Sequence, residues 1–290
     1  MVRFRHRFAA NSRILTGLAG PLVVNYLAVA GFNLTDTLMA GRLGVAELAA
    51  VGIGDGIWMV VFLFAAGILT AINPITAQAF GADKHRYIGH IARQSLWLAF
   101  VIGIVVSAVY FLIRPWFGHL GIEPEIVPLM RQYLDAMWWG MPAVCLYLAL
   151  RHISDGVGHT KAAMVITSVS FLLNIVFNWV LMFGHFGMPA MGVAGCGLAT
   201  AIVLWLEVVG IFIYVIVRPS VYGRFGLFDL FEWPSVQLWR EIATVGVPIG
   251  ISFALTEAVF AFGSIASGAL GTVEAAAHNI VLTFVGLVFM

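Results

Sequence analysis

From about residue 14 onward the chain alternates between long apolar runs and short polar breaks. A helix that crosses a hydrocarbon core of ~30 Å needs about 20 largely apolar residues. Runs of that kind occur eight times, at roughly 14–40, 47–79, 90–113, 134–153, 162–184, 193–217, 242–269 and 274–290. They are too long for membrane strands and lack the two-residue alternation of a transmembrane barrel. The pattern therefore predicts an all-α, multi-pass membrane protein. Pro74 falls near the end of the second run, where a missing backbone N–H should kink or stop the helix. Pro21, Pro142 and Pro248 predict further kinks inside runs.

Composition agrees. The 290 residues are 61% hydrophobic and 10% charged, with a mean hydropathy of +0.99, whereas soluble domains are about 45–50% apolar and about 25% charged. A net charge of +1 without runs of one sign gives no footprint for nucleic acid. Cys145 and Cys196 both lie inside apolar runs, which indicates neither a disulfide framework nor a metal-ligand spacing. The basic start MVRFRHR and the small residues of LAVAG resemble a signal peptide, but the apolar run continues past that point, so an uncleaved first helix is expected. Basic residues set the orientation. With a cytoplasmic N-terminus, Arg3, Arg5, Arg7, Arg13, Lys84, Arg86, Arg93, Arg151, Lys161, Arg218, Arg224 and Arg240 lie inside. Only Arg42, Arg114 and Arg131 lie outside.

The chain also repeats itself. GRLGVAELAAVGI, from Gly41, matches GALGTVEAAAHNI, from Gly268, at a constant offset of 227, and the same offset carries Pro21 onto Pro248. Six spans separate the copies, an even number, so both enter the membrane in the same direction as a parallel repeat. Residues 1–217 then form a six-helix N-terminal lobe, 218–240 a cytoplasmic linker, and 241–290 the first two helices of an incomplete second lobe. The second copy has 63 residues (290 minus 227). A complete second copy would bring the protein to roughly 450 residues and about twelve spans.

Polar side chains within the spans carry the candidate chemistry. A charge at the bilayer centre costs ~2.5–3.5 kcal/mol on insertion scales, so it should face the bundle or a cavity. Asp36, in FNLTDTLMAGRLG, sits only about 6 Å from the outer end of its helix, where an interfacial acid and a bundle-facing acid are both reasonable. Asn174 and Asn178, four residues apart in LLNIVFNWV, share one helical face ~15 and ~9 Å below the same end. Thr200 in GCGLATAI lies ~12 Å deep. Interhelical hydrogen bonding, averaging about 0.6 kcal/mol, accounts for the amides but not for an acid beside them. Carboxylate, amide and hydroxyl oxygens suit a small hard cation such as Na⁺, and the acid alone suits a proton. Glu257, in FALTEAVFAF, is a second acid near the midplane, whose alternative is a structural hydrogen bond. Asp55 and Glu207 are further acids within spans, and His278 is the one histidine retained as a candidate. No phosphate-binding glycine loop and no serine elbow occur.

The segments DTLMAGRLGVAELAAVGIG, TAQAFGA, GVAGCGLAT and AAAHNI, in that order, resemble the multidrug and toxic compound extrusion (MATE) family of cation-coupled efflux transporters. The likeness runs from about Arg13 to the end, and the pair in NIVFN looks like the NorM-type bacterial branch. The resemblance implies two six-helix lobes about a cavity that opens alternately to either side, in a monomer of the bacterial inner membrane. It implies export of amphipathic, often cationic drugs in exchange for Na⁺ or H⁺, with no bound cofactor, no nucleic acid and contact only with drugs and membrane lipid. By position, Asp36, Asn174, Asn178 and Thr200 match a first-lobe cation or proton site and Glu257 a second-lobe acid. Two other readings stay open. A lipid-linked precursor flippase needs a basic central cavity, and the spans contain almost no Lys or Arg. A polytopic membrane enzyme would concentrate His, Asp and Arg at one face.

Overall fold

A computed structural model of the protein describes residues 27–227 and 229–289. Among them there is no strand. Helix α1 covers 27–43 and is followed by α2 (Val45–Thr70), α3 (Ile72–Gly81), α4 (His85–Ile113) and α5 (Ile126–Met137). Then come α6 (Met141–Gly156), α7 (Lys161–Phe183), α8 (Val193–Val217), the single turn α9 (Pro219–Tyr222), α10 (Val236–Leu270) and α11 (Thr272–Phe289). Among the described residues, five stretches are long and apolar enough to cross a membrane: Val45–Gly81, His85–His119, Lys161–Phe183, Val193–Val217 and Val236–Leu270. The first 13 residues of the expected first span, with Pro21, lie outside the described residues.

Several boundaries differ from the sequence expectation: α1 runs to residue 43 rather than 40, and α4 starts at His85 rather than 90. The fourth span starts at Ile126 rather than 134, because its polar first turns, with Arg131 and Asp135, are helical too. Asp135 is held there by Arg114 at 2.5 Å and by the Tyr110 hydroxyl at 2.7 Å. Helix α10 begins at Val236 rather than 242, inside the segment 218–240 expected as a linker, which also contains α9 and a 3₁₀ turn.

The prolines act according to their hydrogen-bond partners. Pro74 cannot donate to the carbonyl of Thr70, and the helix breaks at Ala71, between α2 and α3. Pro142 follows a 3₁₀ turn, Trp138–Gly140, that divides α5 from α6. Helix α10 instead continues through Pro248. On either side of that residue, Gly246 and Gly250 lie against the α2 backbone at Ile68 and Phe64, and Gly67 of α2 lies against Gly250. Three missing side chains let α2 and α10 touch backbone to backbone, which is how membrane helices gain packing without a hydrophobic driving force.

The internal repeat is visible atom by atom. Gly44 (φ 166°) and Gly271 (φ 153°) each stand between two helices in similar backbone conformations. Gly44 N–H bonds the Ala40 carbonyl at 3.3 Å, and Gly271 N–H bonds the Ser267 carbonyl at 3.3 Å. Leu48 N–H bonds Gly44, and Ala275 N–H bonds Gly271, each at 3.1 Å. The carboxylates of Glu47 and Glu274 fold back over Gly44 and Gly271. The shared Gly-x-x-Glu is thus a repeated helix junction, with an acid in the first turn of the helix that follows. The α1–α2 pair meets its copy α10–α11 along α2–α10 and through a Thr37–Thr283 hydroxyl contact of 3.1 Å.

Candidate functional site: a buried ring of oxygen ligands

The site depends on how α7 and α8 are joined. Gly184 caps α7 in the left-handed conformation (φ 75°) and its N–H returns to the Val180 carbonyl at 3.0 Å. Met191 and Gly192 then bond back to the carbonyls of Leu181 and Met182, at 2.9 and 3.2 Å. Gly195 packs on the Leu181 backbone and Gly197 on the backbone at Tyr133 of α5. Side chains at either glycine would hold α8 away from its neighbours, so this tight turn sets the depth of Thr200 against Asn174 and Asn178.

Helix α1 supplies Asp36, α7 supplies Asn174 and Asn178, and α8 supplies Thr200. All four are buried, the two asparagines fully. The Asn178 amide donates to Asp36 Oδ1 at 2.6 Å and to Asn174 Oδ1 at 3.0 Å. The Asn174 amide donates to the Thr200 hydroxyl at 3.4 Å, which donates to Asp36 Oδ2 at 3.5 Å. The ring closes on itself, with Asn178 and Thr200 donating to the two carboxylate oxygens. The structure therefore brings together the four residues singled out from spacing, and Asp36 faces the bundle instead of the interface. One group is left over. Asn178 Oδ1 is buried and accepts no hydrogen bond, although buried side-chain acceptors in folded proteins are nearly always paired.

Glu257 is not part of this ring. It is half-buried on α10, within electrostatic reach of Asp55 on α2, which in turn is within reach of Asp36. The acids thus run from the first lobe through α2 to the second. His278 places its Nε2 beside Gly263 of α10, without a hydrogen-bond partner, and does not join the ring. Two neighbours of Asp36 were missed from the sequence: the thiol of Cys196 and the fully buried Tyr133. Cys196 could have been found, since it stands one turn before Thr200 on the same face of α8. Tyr133 could not, because it comes from α5, which no local pattern joins to α1. Among the described residues, no three His, Cys, Asp or Glu side chains converge in the manner of a transition-metal centre.

The chain is similar to known proteins. The MatE family model matches residues 21–180. The multidrug resistance protein PmpM of Pseudomonas aeruginosa is 38% identical over 285 residues, covering 98% of this chain and 60% of that protein. The multidrug resistance protein NorM of Vibrio cholerae is 33% identical, covering 98% and 62%. Among solved structures, the eukaryotic MATE transporter AtDTX14 superposes with a TM-score of 0.78 at 19% identity, over 94% of this chain and 60% of that one. An inward-facing multidrug resistance MATE family transporter superposes with a TM-score of 0.75 at 24% identity, over 86% and 56%. The chain spans about 60% of the length of the curated relatives it matches. With a family match over more than half its length, and with that fold, the chain belongs to the multidrug and toxic compound extrusion (MATE) family, which consists of transporters and not enzymes.

Proposed function

We propose that the protein is the first lobe, and the start of the second, of a bacterial inner-membrane antiporter that exports amphipathic, often cationic drugs while Na⁺ or H⁺ enters. Its N-terminus is cytoplasmic, as the distribution of Lys and Arg requires. The relatives are multidrug resistance proteins, and solved members of the fold occur in inward- and outward-facing conformations. A carboxylate whose charge is set by cation occupancy can bias such a two-state equilibrium, by as much as its affinities for the two states differ.

The observation that carries this reading is the ring of four oxygen-bearing side chains from three helices around Asp36. In the ring as it stands, donors satisfy the carboxylate. Turning the Asn178 amide over would present its unpaired Oδ1 toward Asp36. That exchange gives a small hard cation a carboxylate, an amide carbonyl and a hydroxyl oxygen. A proton on Asp36 would need none of these neutral oxygens, which favours Na⁺. Glu257 supplies the corresponding acid in the second lobe.

The test is Asp36→Asn, which keeps the shape and hydrogen bonding but removes the charge. In the complete, two-lobed protein, drug binding is expected to survive. Efflux driven by an imposed Na⁺ or H⁺ gradient in proteoliposomes is expected to fall by about 5–150-fold, the range of a ~1–3 kcal/mol coupling. Efflux at the wild-type rate by an equally expressed Asn variant would sink the coupling role. Imposing the two gradients separately identifies the ion.

A further inference from the structure

A second buried carboxylate in the first lobe is not used by the Asp36 ring. Glu207 lies on α8, two turns beyond Thr200, and is only 5% exposed. The two ring asparagines prove to be one end of a longer polar stripe on α7. Thr167, Ser170, Asn174 and Asn178 follow at intervals of three, four and four residues, so they share one face over roughly 16 Å. All four are buried, the first two at 4% and 3% exposure. The Ser170 hydroxyl faces the Glu207 carboxylate. On α6, Tyr147 and Arg151 lie within electrostatic reach of the same carboxylate, and the Tyr147 hydroxyl bonds Thr167 Oγ1 at 3.2 Å. One turn further along α6, Asp155 lies 3.6 Å from Arg151 Nε, at the end of the bundle where α6 stops and α7 begins.

Charge balance identifies what Glu207 binds. One guanidinium, Arg151, lies against Asp155 and within electrostatic reach of Glu207. Arg151 Nε is buried and makes no hydrogen bond. No charged group of α2, α5 or α9 bears on Glu207 among the described residues. With both acids ionised the cluster holds one net negative charge in an apolar lobe, which is costly unless it is neutralised. A metal cation is a poor occupant: the neighbours of Glu207 are a hydroxyl donor, a phenol and a guanidinium, with no amide carbonyl and no ring of neutral oxygens. A proton fits, because it neutralises the cluster and requires no ligand geometry.

We propose that Glu207 is a proton-binding site of the first lobe, separate from the Asp36 ring, and that it exchanges its proton with the cytoplasm along the Tyr147–Arg151–Asp155 face of α6. The proton moves as H⁺ between the Glu207 carboxylate and water at the Asp155 end, with no other bond made or broken. Arg151 pairs with whichever acid is ionised. The lobe then handles two ions at two depths, a cation at Asp36 and a proton at Glu207. Glu207 binds its proton whether or not Asp36 proves to be the coupling site.

Infrared difference spectroscopy of the purified protein during a pH titration tests this directly. Wild type is expected to show a protonated-carboxyl C=O band that disappears as pH rises. Glu207→Gln should lose that band and Asp36→Asn should keep it. Ser170→Ala, which leaves the acid in place but removes the facing hydroxyl, should shift the band in frequency. Na⁺ binding, followed with ²²Na⁺, should persist in Glu207→Gln and fail in Asp36→Asn. An unchanged set of titrating bands in a folded Glu207→Gln variant overturns the proposal, as does an unshifted band in Ser170→Ala. Failure of the Asp36 reading would appear only as retained Na⁺ binding in Asp36→Asn, so the two failures are distinguishable.

Discussion

The Asp36 ring shows how much one side chain's position depends on its partners. Asn178 uses both amide hydrogens, one on Asp36 and one on Asn174, while its own oxygen is buried and unpaired. Asn178→Ala should therefore remove a donor and one neutral ligand but leave the charge in place. Gradient-driven efflux in that variant is expected to fall less than in Asp36→Asn, and the same vesicle assay checks the order. Thr200→Val is nearly isosteric and should cost about 0.6 kcal/mol of stability, the average for a hydrogen bond between membrane helices. Its effect on Na⁺ affinity should exceed its effect on thermal stability in detergent if the hydroxyl is a ligand. Equal effects would mark it as structural.

Between helices, two interactions fix how the lobes are tied together. The first is the Gly67–Gly246–Gly250 crossing, where a side chain has no room between the backbones of α2 and α10. Gly67→Leu should cost about 1–3 kcal/mol, the usual penalty for overpacking, and a melting curve would detect it. The second is the linker. His90, Arg93, Gln94 and Trp97 form one stripe at the start of α4, and all four hold it. Glu232 receives His90 Nδ1 and Arg93, each at 2.5 Å. Gln94 donates to the Trp233 carbonyl at 2.9 Å and accepts from Ser235 N–H at 2.6 Å, and Trp97 bonds the Glu232 carbonyl at 3.1 Å. The Arg93 hydrogen bond holds the Glu232 carboxyl below its usual range. A depressed carboxylate value contributes stability above the unfolded pKa of about 4.3, and loses it as pH falls through the folded value. Hydrogen exchange in 229–239, corrected for intrinsic rates, should thus be slow near neutrality and accelerate below about pH 4. Glu232→Gln should exchange fast at all pH values.

For the whole molecule, the parallel repeat and the bias of basic residues make one topological prediction. Reporter fusions after Lys84, Lys161 and Arg224 should report cytoplasm, and fusions near Glu123 and Pro189 the outside. Opposite signals at two of these sites would break the orientation, and with it the cytoplasmic placement of the Glu207 exit. The lobes are bridged on α2 by Asp55, which is in electrostatic reach of both Asp36 and Glu257. A change of charge at either acid is therefore felt at the seam between the lobes.

What the sequence determines by itself is whatever a local pattern encodes. Apolar runs of span length gave the helices, and the spacing of Asn174 and Asn178 gave a shared face. The offset between Gly41 and Gly268 gave a repeat that reappears bond for bond at Gly44 and Gly271. Helix α1 continues to residue 43, so Asp36 lies seven residues from its end instead of the expected four, a level that lets it meet Asn178 and Thr200. Only the tertiary structure decided which faces meet. Whether Asp36 turned to the interface or into the bundle depended on how α7 and α8 dock against α1. That docking rests on backbone contacts at Gly195 and Gly197 rather than on any periodicity. The effect of each proline was also decided there: Pro74 ends a helix and Pro248 does not, because α10 is held against α2 on both sides of Pro248. Glu207 is the clearest case. Along the chain it is one acid in an apolar run, and its partners come from α6 and α7, dozens of residues away. The charge count that gives it a proton exists only after those helices have packed.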